Sequence, residues 1–285
     1  MRAIRIVSCS GFATFQDSGR HGVAHLAVPS GGAYDSESYA LANRLLGNDA
    51  NAAVIESARA SLVLEALSEC EIVVTGAPVS IRVNGLEQAM NQPLYVSAQS
   101  TVTLSPTQLA LRSYLGVRGG FDVPAIMGSR SFDELAKLGP APIGASDVIP
   151  IGNAITSDMP VVLGPVTGVS LASDVELGVW RGPRWDWFSD AMELVHQEFV
   201  VTTKINRVGV RLEGHAFSWD TTRRLPSEGL VRGSIQIPVD GVPLIFGPDH
   251  PTTAGYPVIG VIEPSHMSRL AQVTAGTRVR FSIRS

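Results

Sequence analysis

Between Gly11 and Glu56 the sequence sets Gln16, Asp17, Arg20, His21 and His25 on a glycine-punctuated loop and follows them with Asp35. Further along, Arg118 and Arg130 add two guanidinium groups, whose planar forks suit carboxylate or phosphate oxygens. Asp, Glu, Gln, Arg, Thr and Tyr at loop ends, spread over both halves, suit two jobs. One is holding a small acid by its carboxylate; the other is stabilising charge that develops on a carbonyl or a transferring phosphoryl oxygen. Other chemistries lack their signatures: there is no Walker A sequence, His-Glu-x-x-His helix, nucleophile elbow or cysteine metal cluster. His21 and His25 have i, i+4 spacing, but Gly22 and the loop context spoil the helix that would make them co-ligands, so no metal site is expected. His196, His215, His250 and His266 read as surface or satisfied core residues.

The elements that must position these groups are mostly strands. Ala3 to Val7 alternates as an opening strand. A short helix follows the loop, with Asp35 as N-cap, Leu41, Ala42, Leu45 and Leu46 on one face, and Gly47 as left-handed stop. Leu62–Ala66, Ile72–Val74, Val79–Val83, Leu94–Val96, Val102–Leu104 and Leu109–Val117 continue as short strands, with Asn84-Gly85 as a hairpin turn. In the second half, Phe188, Met192, Val195 and Phe199 have the spacing of a helical core stripe. Asp240-Gly241 predicts a hairpin joining Ile235–Val239 to Pro243–Phe246. Ser265 is placed to cap a short helix through Ala271, and Val279, Phe281 and Ile283 form a last strand. A crossover between Gly139 and Gly168, rich in Pro, Gly, Ser and Asn, divides the chain into domains 1–155 and 156–285.

Composition sets the bounds. The 285 residues are 45% hydrophobic and 17% charged, an ordinary globular balance. The net charge of −4 offers no basic stripe for phosphates and argues against nucleic acid. Plentiful glycine and proline between short apolar runs favour turns and therefore strands. Cys9 and Cys70 have neither metal nor redox spacing and read as buried free thiols. No signal peptide or transmembrane stretch is seen, so a cytoplasmic protein is expected, with no membrane partner.

The motif order is specific. QDSGRHG, SGGAYD, LANRLLGN and IE resemble the family of allophanate hydrolase subunit 2, also called KipA-like or carboxyltransferase A/B. The match runs through Gln16, Asp17, Gly19, Arg20, Gly22, Gly32, Ala33, Asp35, Ala42, Asn43, Leu45, Gly47 and Asn48, with departures at Val23 and Tyr34. RGGFDVP and GSRS, carrying Arg118 and Arg130, are similar to two further family segments. NRVGVRLEG follows, with Arg207, and Asn206 and Val208 replace the usual Asp and Met. GSIQIPVDG, with Gln236, leads into PDHPTTAGYP, where Asp249, Thr252, Gly255, Tyr256 and Pro257 fit, whereas Pro251 and Ala254 do not. Pro251 removes a side-chain amide and a backbone donor at a place expected to face ligand.

The resemblance implies a mainly β, β-rich α+β fold of two cyclophilin-like β-barrel domains with a few short helices. It implies the C-type component of an ATP-dependent 5-oxoprolinase, acting with a KipI-like B component and a lamB/YcsF-like A component on a small acid or amide. ATP with Mg is then a co-substrate shared with a partner, since no phosphate loop is present, and little turnover is expected from the single chain. Self-association is compatible with this reading. One alternative is a carboxyltransferase of urea carboxylase type, with biotin, although biotin carboxylase and carrier segments are absent from these residues. Another is a regulatory protein that antagonises a KipI-like kinase inhibitor without turnover. The expected site assigns Asp17, Arg20, Arg207 and Asp249 to catalysis and Gln16, Asp35, Arg118, Arg130, Gln236, Thr252 and Tyr256 to substrate, the two halves meeting at one cleft. Arg20 and Arg207 would contact an anion, Asp17 or Asp249 accept a proton, and Tyr256 donate its hydroxyl. On that view Arg20→Ala leaves the melting temperature nearly unchanged.

Overall fold

Strand β1 (Ala3–Gln16) runs well beyond the five alternating residues that announce it, because two bulges let it stay paired with β2 (Val54–Ala66) from Ile4↔Ala66 to Gln16↔Val54. The computed structural model describes residues 2–159, 174–223 and 225–284, which form two units. The first comprises residues 2–20, 35–132 and 138–159, and the second residues 21–34, 133–137, 174–223 and 225–284. The crossover expected between Gly139 and Gly168 lies partly outside the described residues.

In the first unit β1 and β2 are joined by β3 (Cys70–Gly76), β4 (Val79–Val83), β5 (Leu86–Gln88), β6 (Leu94–Val96), β7 (Thr101–Pro106), β8 (Arg112–Val117) and β9 (Val148–Pro150). The hydrogen-bonded order is β5-β4-β7-β2-β8-β3-β6, with β1 between β2 and β9, and every pair is antiparallel. One edge of β2 serves β7 and β8 in turn, and the break between them falls at Arg59, held at φ 54°. Inward residues such as Ile4, Ile6, Ile55, Leu62, Leu64 and Leu115 fill the core. The Asn84-Gly85 turn takes the left-handed angles of a tight hairpin, φ 51° and 84°, between Val83 and Leu86. Helix α1 (Ser36–Leu46) packs on β3 and β8 through Tyr39, Ala42, Leu45 and Leu46, and Gly116 makes room for Leu46: a Cβ there would lie 3.0 Å from its Cδ1.

The second unit is a closed barrel. Its strands are β10 (Asp174–Arg181), β11 (Phe199–Ile205), β12 (Gly209–Glu213), β14 (Ser234–Gln236), β15 (Leu244–Phe246), β17 (Val258–Ile262) and β18 (Arg278–Ile283), in the order β10-β17-β14-β15-β12-β11-β18. Parallel pairing of β18 with β10 closes it, and a two-stranded ribbon of β13 (Glu228–Gly229) and β16 (Thr253–Ala254) stands apart. The fold is therefore mostly β, with two barrel-like sheets and few short helices.

Three local expectations are corrected. The Phe188–Phe199 stripe is not one helix: Trp185–Trp187 is a 3-10 turn, α2 covers only Glu193–His196, and Phe199 already belongs to β11. Phe188 and Phe199 reach the core from these different elements, whereas Met192 is 43% exposed. β14 and β15 do form a hairpin, but its turn is Pro238–Gly241, where Gly241 N–H donates to the Pro238 carbonyl and only Gly241 takes positive φ. Ser265 does not cap α3 (Met267–Leu270); its hydroxyl donates to Glu263 instead. Cys70 is buried as expected, and burial pushes its thiol up to about 11, but Cys9 is only half-buried. No helix among the described residues is long and apolar enough to cross a membrane.

Candidate functional site

At the end of β1 the backbone turns, and Asp17 becomes the hub of a buried network in the first unit. Its Oδ1 accepts from Gly19 N–H (2.8 Å), Ser129 Oγ (2.6 Å) and Ser131 Oγ (2.7 Å), and its Oδ2 from Arg130 N–H (2.6 Å). Gln16 donates to Thr14 Oγ1 and to the Phe132 carbonyl, both at 3.0 Å. Arg20, 1% exposed, donates from Nε to the Ile126 carbonyl (3.1 Å) and from Nη2 to the Ser131 and Leu138 carbonyls. These three residues thus clamp the segment 126–132, an arrangement that sets aside the expectation of a thermally neutral Arg20→Ala. The Arg130 side chain is half-buried, donates from Nε to the Val123 carbonyl (2.9 Å) and lies 3.6 Å from Asp122.

A second network in the same unit anchors α1. Asp35 accepts from Ser38 N–H (3.0 Å) and Ser38 Oγ (2.6 Å), and its own N–H donates to Tyr114 Oη at 2.7 Å. Tyr114 in turn donates to Glu56 (2.8 Å), whose other oxygen lies 3.4 Å from Arg112 Nε. Burial and the nearby Glu56 carboxylate push the Tyr114 phenol well above its ordinary range. Arg118 is engaged elsewhere, donating to the Leu46 carbonyl (2.6 Å) at the C-terminal end of α1 and to that of Ser157 (3.3 Å). It also lines an open groove of about 460 Å³ with Arg2, Glu69, Glu71, Tyr95 and Ile155.

In the second unit Arg207 and Asp249 form a buried, bidentate pair, Nε–Oδ2 and Nη2–Oδ1 both at 2.8 Å. Arg207 Nη2 also reaches the Gly32 carbonyl (2.7 Å), and Glu134 N–H donates to Asp249 Oδ2 (2.8 Å) while Glu134 Oε2 accepts from Arg207 N–H (2.9 Å). Burial pushes the Asp249 carboxyl up, against the opposing pull of the Arg207 fork and the Glu134 N–H. A buried guanidinium–carboxylate fork of this kind is rigid because neither ion can leave its partner without a large desolvation cost. Gln236, 3% exposed, donates to the Tyr256 carbonyl (3.1 Å) and braces the turn that precedes β17. Thr252 is half-buried and Tyr256 42% exposed. Among the described residues no three His, Cys, Asp or Glu side chains converge as metal ligands.

Within the first unit, then, the structure joins Gln16, Asp17, Arg20 and the Arg130 backbone, and leaves Asp35 and Arg118 in separate networks. Within the second it joins Arg207 to Asp249 and Gln236 to Tyr256. Sequence reasoning passed over Ser129 and Ser131, Glu56 and Tyr114, Glu134 and Asp133. The first two were within sight, since the GSRS segment drew attention only to its arginine. Glu56 and Tyr114 are cross-strand partners, a register that no local spacing reveals.

The chain matches the family described as "Carboxyltransferase domain, subdomain A and B" over residues 26–283. It is 32% identical to the C subunit of the 5-oxoprolinase of Escherichia coli K12, across 98% of this chain and 90% of that protein. It is 28% identical to the urea amidolyase of Saccharomyces cerevisiae, of which it spans 16%. The Kluyveromyces lactis urea amidolyase crystal structure superposes with a TM-score of 0.91 at 25% identity, over 99% of this chain and 19% of that one. With the family motifs placed on this double-barrelled β fold, the chain belongs to the carboxyltransferase domain, subdomain A and B, family.

Proposed function

We propose that this chain is the C-type component of an ATP-dependent 5-oxoprolinase, working with a KipI-like B component and a lamB/YcsF-like A component. The observation that carries this reading is the near full-length match to the C subunit of 5-oxoprolinase, 98% of this chain against 90% of the relative. Opening a stable five-membered lactam is slow and barely downhill, so activating the amide oxygen with ATP before water attacks is chemically reasonable. Magnesium arrives with the nucleotide as part of the substrate. In this reading Arg207 and Asp249 present a fixed, water-poor electrostatic frame to the activated carbonyl, the setting in which preorganised charge acts most strongly. Asp17 and Arg20 hold the 126–132 segment in shape.

The test is 5-oxoproline-dependent ATP hydrolysis, with glutamate as product, measured on the chain co-expressed with its two partner proteins. Lactam-dependent turnover that needs all three chains supports the proposal; robust activity from the single chain contradicts the need for partners. A second reading, carboxyl transfer to urea or another amide, is favoured by the superposition on urea amidolyase. There biotin on a separate carrier would supply the carboxyl group, and the exposed Tyr256 is the residue of the second unit's motif set that could meet it. Dependence of activity on a biotin carrier, absent in the first reading, separates the two.

A further inference from the structure

The groove that Arg118 lines is built at the β6 edge of the first unit's sheet, from strand residues that turn away from the core. In β3, Cys70 and Ile72 are each 2% exposed, so Glu71 between them faces outward. In β6 its cross-strand partner Tyr95 is 62% exposed between the buried Leu94 and Val96, so the two side chains share one face. Arg118 is held next to β3, because its N–H donates to the Glu71 carbonyl at 2.8 Å. Arg2 is tied to Arg118 in turn, donating from Nη2 to the Arg118 carbonyl at 3.2 Å. Glu69 accepts from the Tyr95 hydroxyl at 2.9 Å, and Ile155, 40% exposed, adds apolar surface. The volume of about 460 Å³ lies within the range of small-molecule sites. None of these residues belongs to the Asp17 or Asp35 networks.

The groove holds two cations and two carboxylates that do not neutralise one another. Among the described residues, neither Arg2 nor Arg118 brings a nitrogen within 4.0 Å of a Glu69 or Glu71 oxygen. Arg118 donates to the carbonyls of Leu46 and Ser157, and Arg2 to that of Arg118, all of them uncharged oxygens. The half-buried Glu71 carboxylate has no hydrogen bond or ion pair among the described residues. Charge-assisted hydrogen bonds are the strong ones, so half-buried opposite charges held apart in one groove leave both poles to a ligand. Two guanidinium groups and one unengaged carboxylate have a definite complement: two carboxylates and one ammonium.

We infer that this groove binds the zwitterion of an acidic amino acid, its carboxylates on Arg2 and Arg118 and its ammonium on Glu71. If lactam opening is the reaction, as proposed above, that ligand is glutamate, the product, and the groove is where product regulates the enzyme. The choice of glutamate and the regulatory role rest on that reading; the ligand class does not. The lactam, with a neutral ring nitrogen and one carboxylate, meets only part of the pattern.

Isothermal titration calorimetry of the full chain with L-glutamate, with glutarate, which lacks the ammonium, and with 5-oxoproline tests the class. Glutamate should bind saturably and at least about tenfold tighter than either, and its preference over glutarate should vanish in Glu71→Gln. Glutamine keeps the size and removes the charge, and a thermal melt of the variant checks that it is folded. No saturable heat with glutamate up to about 10 mM, equal affinity for glutarate, or an unchanged preference in Glu71→Gln overturns the inference. A second measurement follows 5-oxoproline-dependent ATP hydrolysis by the reconstituted complex. Glutamate should lower the rate without raising the KM for 5-oxoproline, and Glu71→Gln should keep the basal rate while needing at least about tenfold more glutamate for inhibition. No inhibition, or inhibition equally strong in Glu71→Gln, overturns the regulatory role. Glu71-dependent glutamate binding in a complex that does not open the lactam sustains the groove site and removes the lactam-opening reading instead.

Discussion

Removing the Arg20 side chain is the sharpest perturbation of the first unit. Arg20 is among the largest fully buried side chains, and Arg20→Ala strips donors from the Ile126, Ser131 and Leu138 carbonyls at once. Hydrogen bonds from a charged donor contribute about 1.5–3 kcal/mol each, so losing the two shorter ones costs about 3–6 kcal/mol, before any cavity is counted. Total stabilities are about 5–15 kcal/mol, so the loss is a large share. At roughly 2–4 °C per kcal/mol for a domain of this size, the melting temperature should fall on the order of 10 °C or more. Differential scanning calorimetry of the parent, Arg20→Ala and Arg20→Lys chains provides the assay. Lysine keeps the charge but cannot reach both Ile126 and Ser131 from one head group, and should recover only part of the loss. An Arg20→Ala protein melting within about 2 °C of the parent would refute the clamp and return Arg20 to the role of a solvated loop arginine.

Asp17→Asn puts an amide donor where the carboxylate takes Arg130 N–H, and should destabilise by about 1.5–3 kcal/mol in urea titrations; an unchanged midpoint argues against the four-donor hub. Gly47→Ala meets both a positive φ of 62° and a Cβ 2.3 Å from the Ser157 carbonyl, so poor expression or a clear drop in melting temperature is expected, whereas Gly85→Ala, with open space around it, should be milder. Burial lowers the proton affinity of both His250 and His266, and His266 Nδ1 accepts from Gly178 N–H, a bond that protonation would break. The unfolded chain then binds more protons below about pH 6.5, so stability should hold above that pH and fall as acid drives these rings through their lowered folded values. A urea midpoint that stays flat from pH 7.5 to about pH 5.5 would contradict this sign.

What the sequence by itself determined was local. Asp35 and Gly47 bound α1 because capping and the left-handed stop depend on residues within one turn, and the helix runs between them as expected. Asn84-Gly85 dictated a tight hairpin for the same reason, and strand alternation announced the β class. Ordered motifs placed the chain in its family. The long-range partners were decided only by the tertiary structure. Nothing near Asp17 in the chain says that its donors come from residues 129–131, or that Arg20 will be sealed under the carbonyls of residues 126, 131 and 138. Loop polarity suggested ligand-facing groups, but burial turned several of them into internal braces, since a charge taken out of water must find its partners inside the protein. The Phe188–Phe199 stripe shows the converse: of four apolar residues at helical spacing, Phe188, Val195 and Phe199 reach one core from a turn, a short helix and a strand, and Met192 stays exposed. His250, which the sequence offered as a bland histidine, gained its fixed tautomer from the neighbouring Pro251 carbonyl.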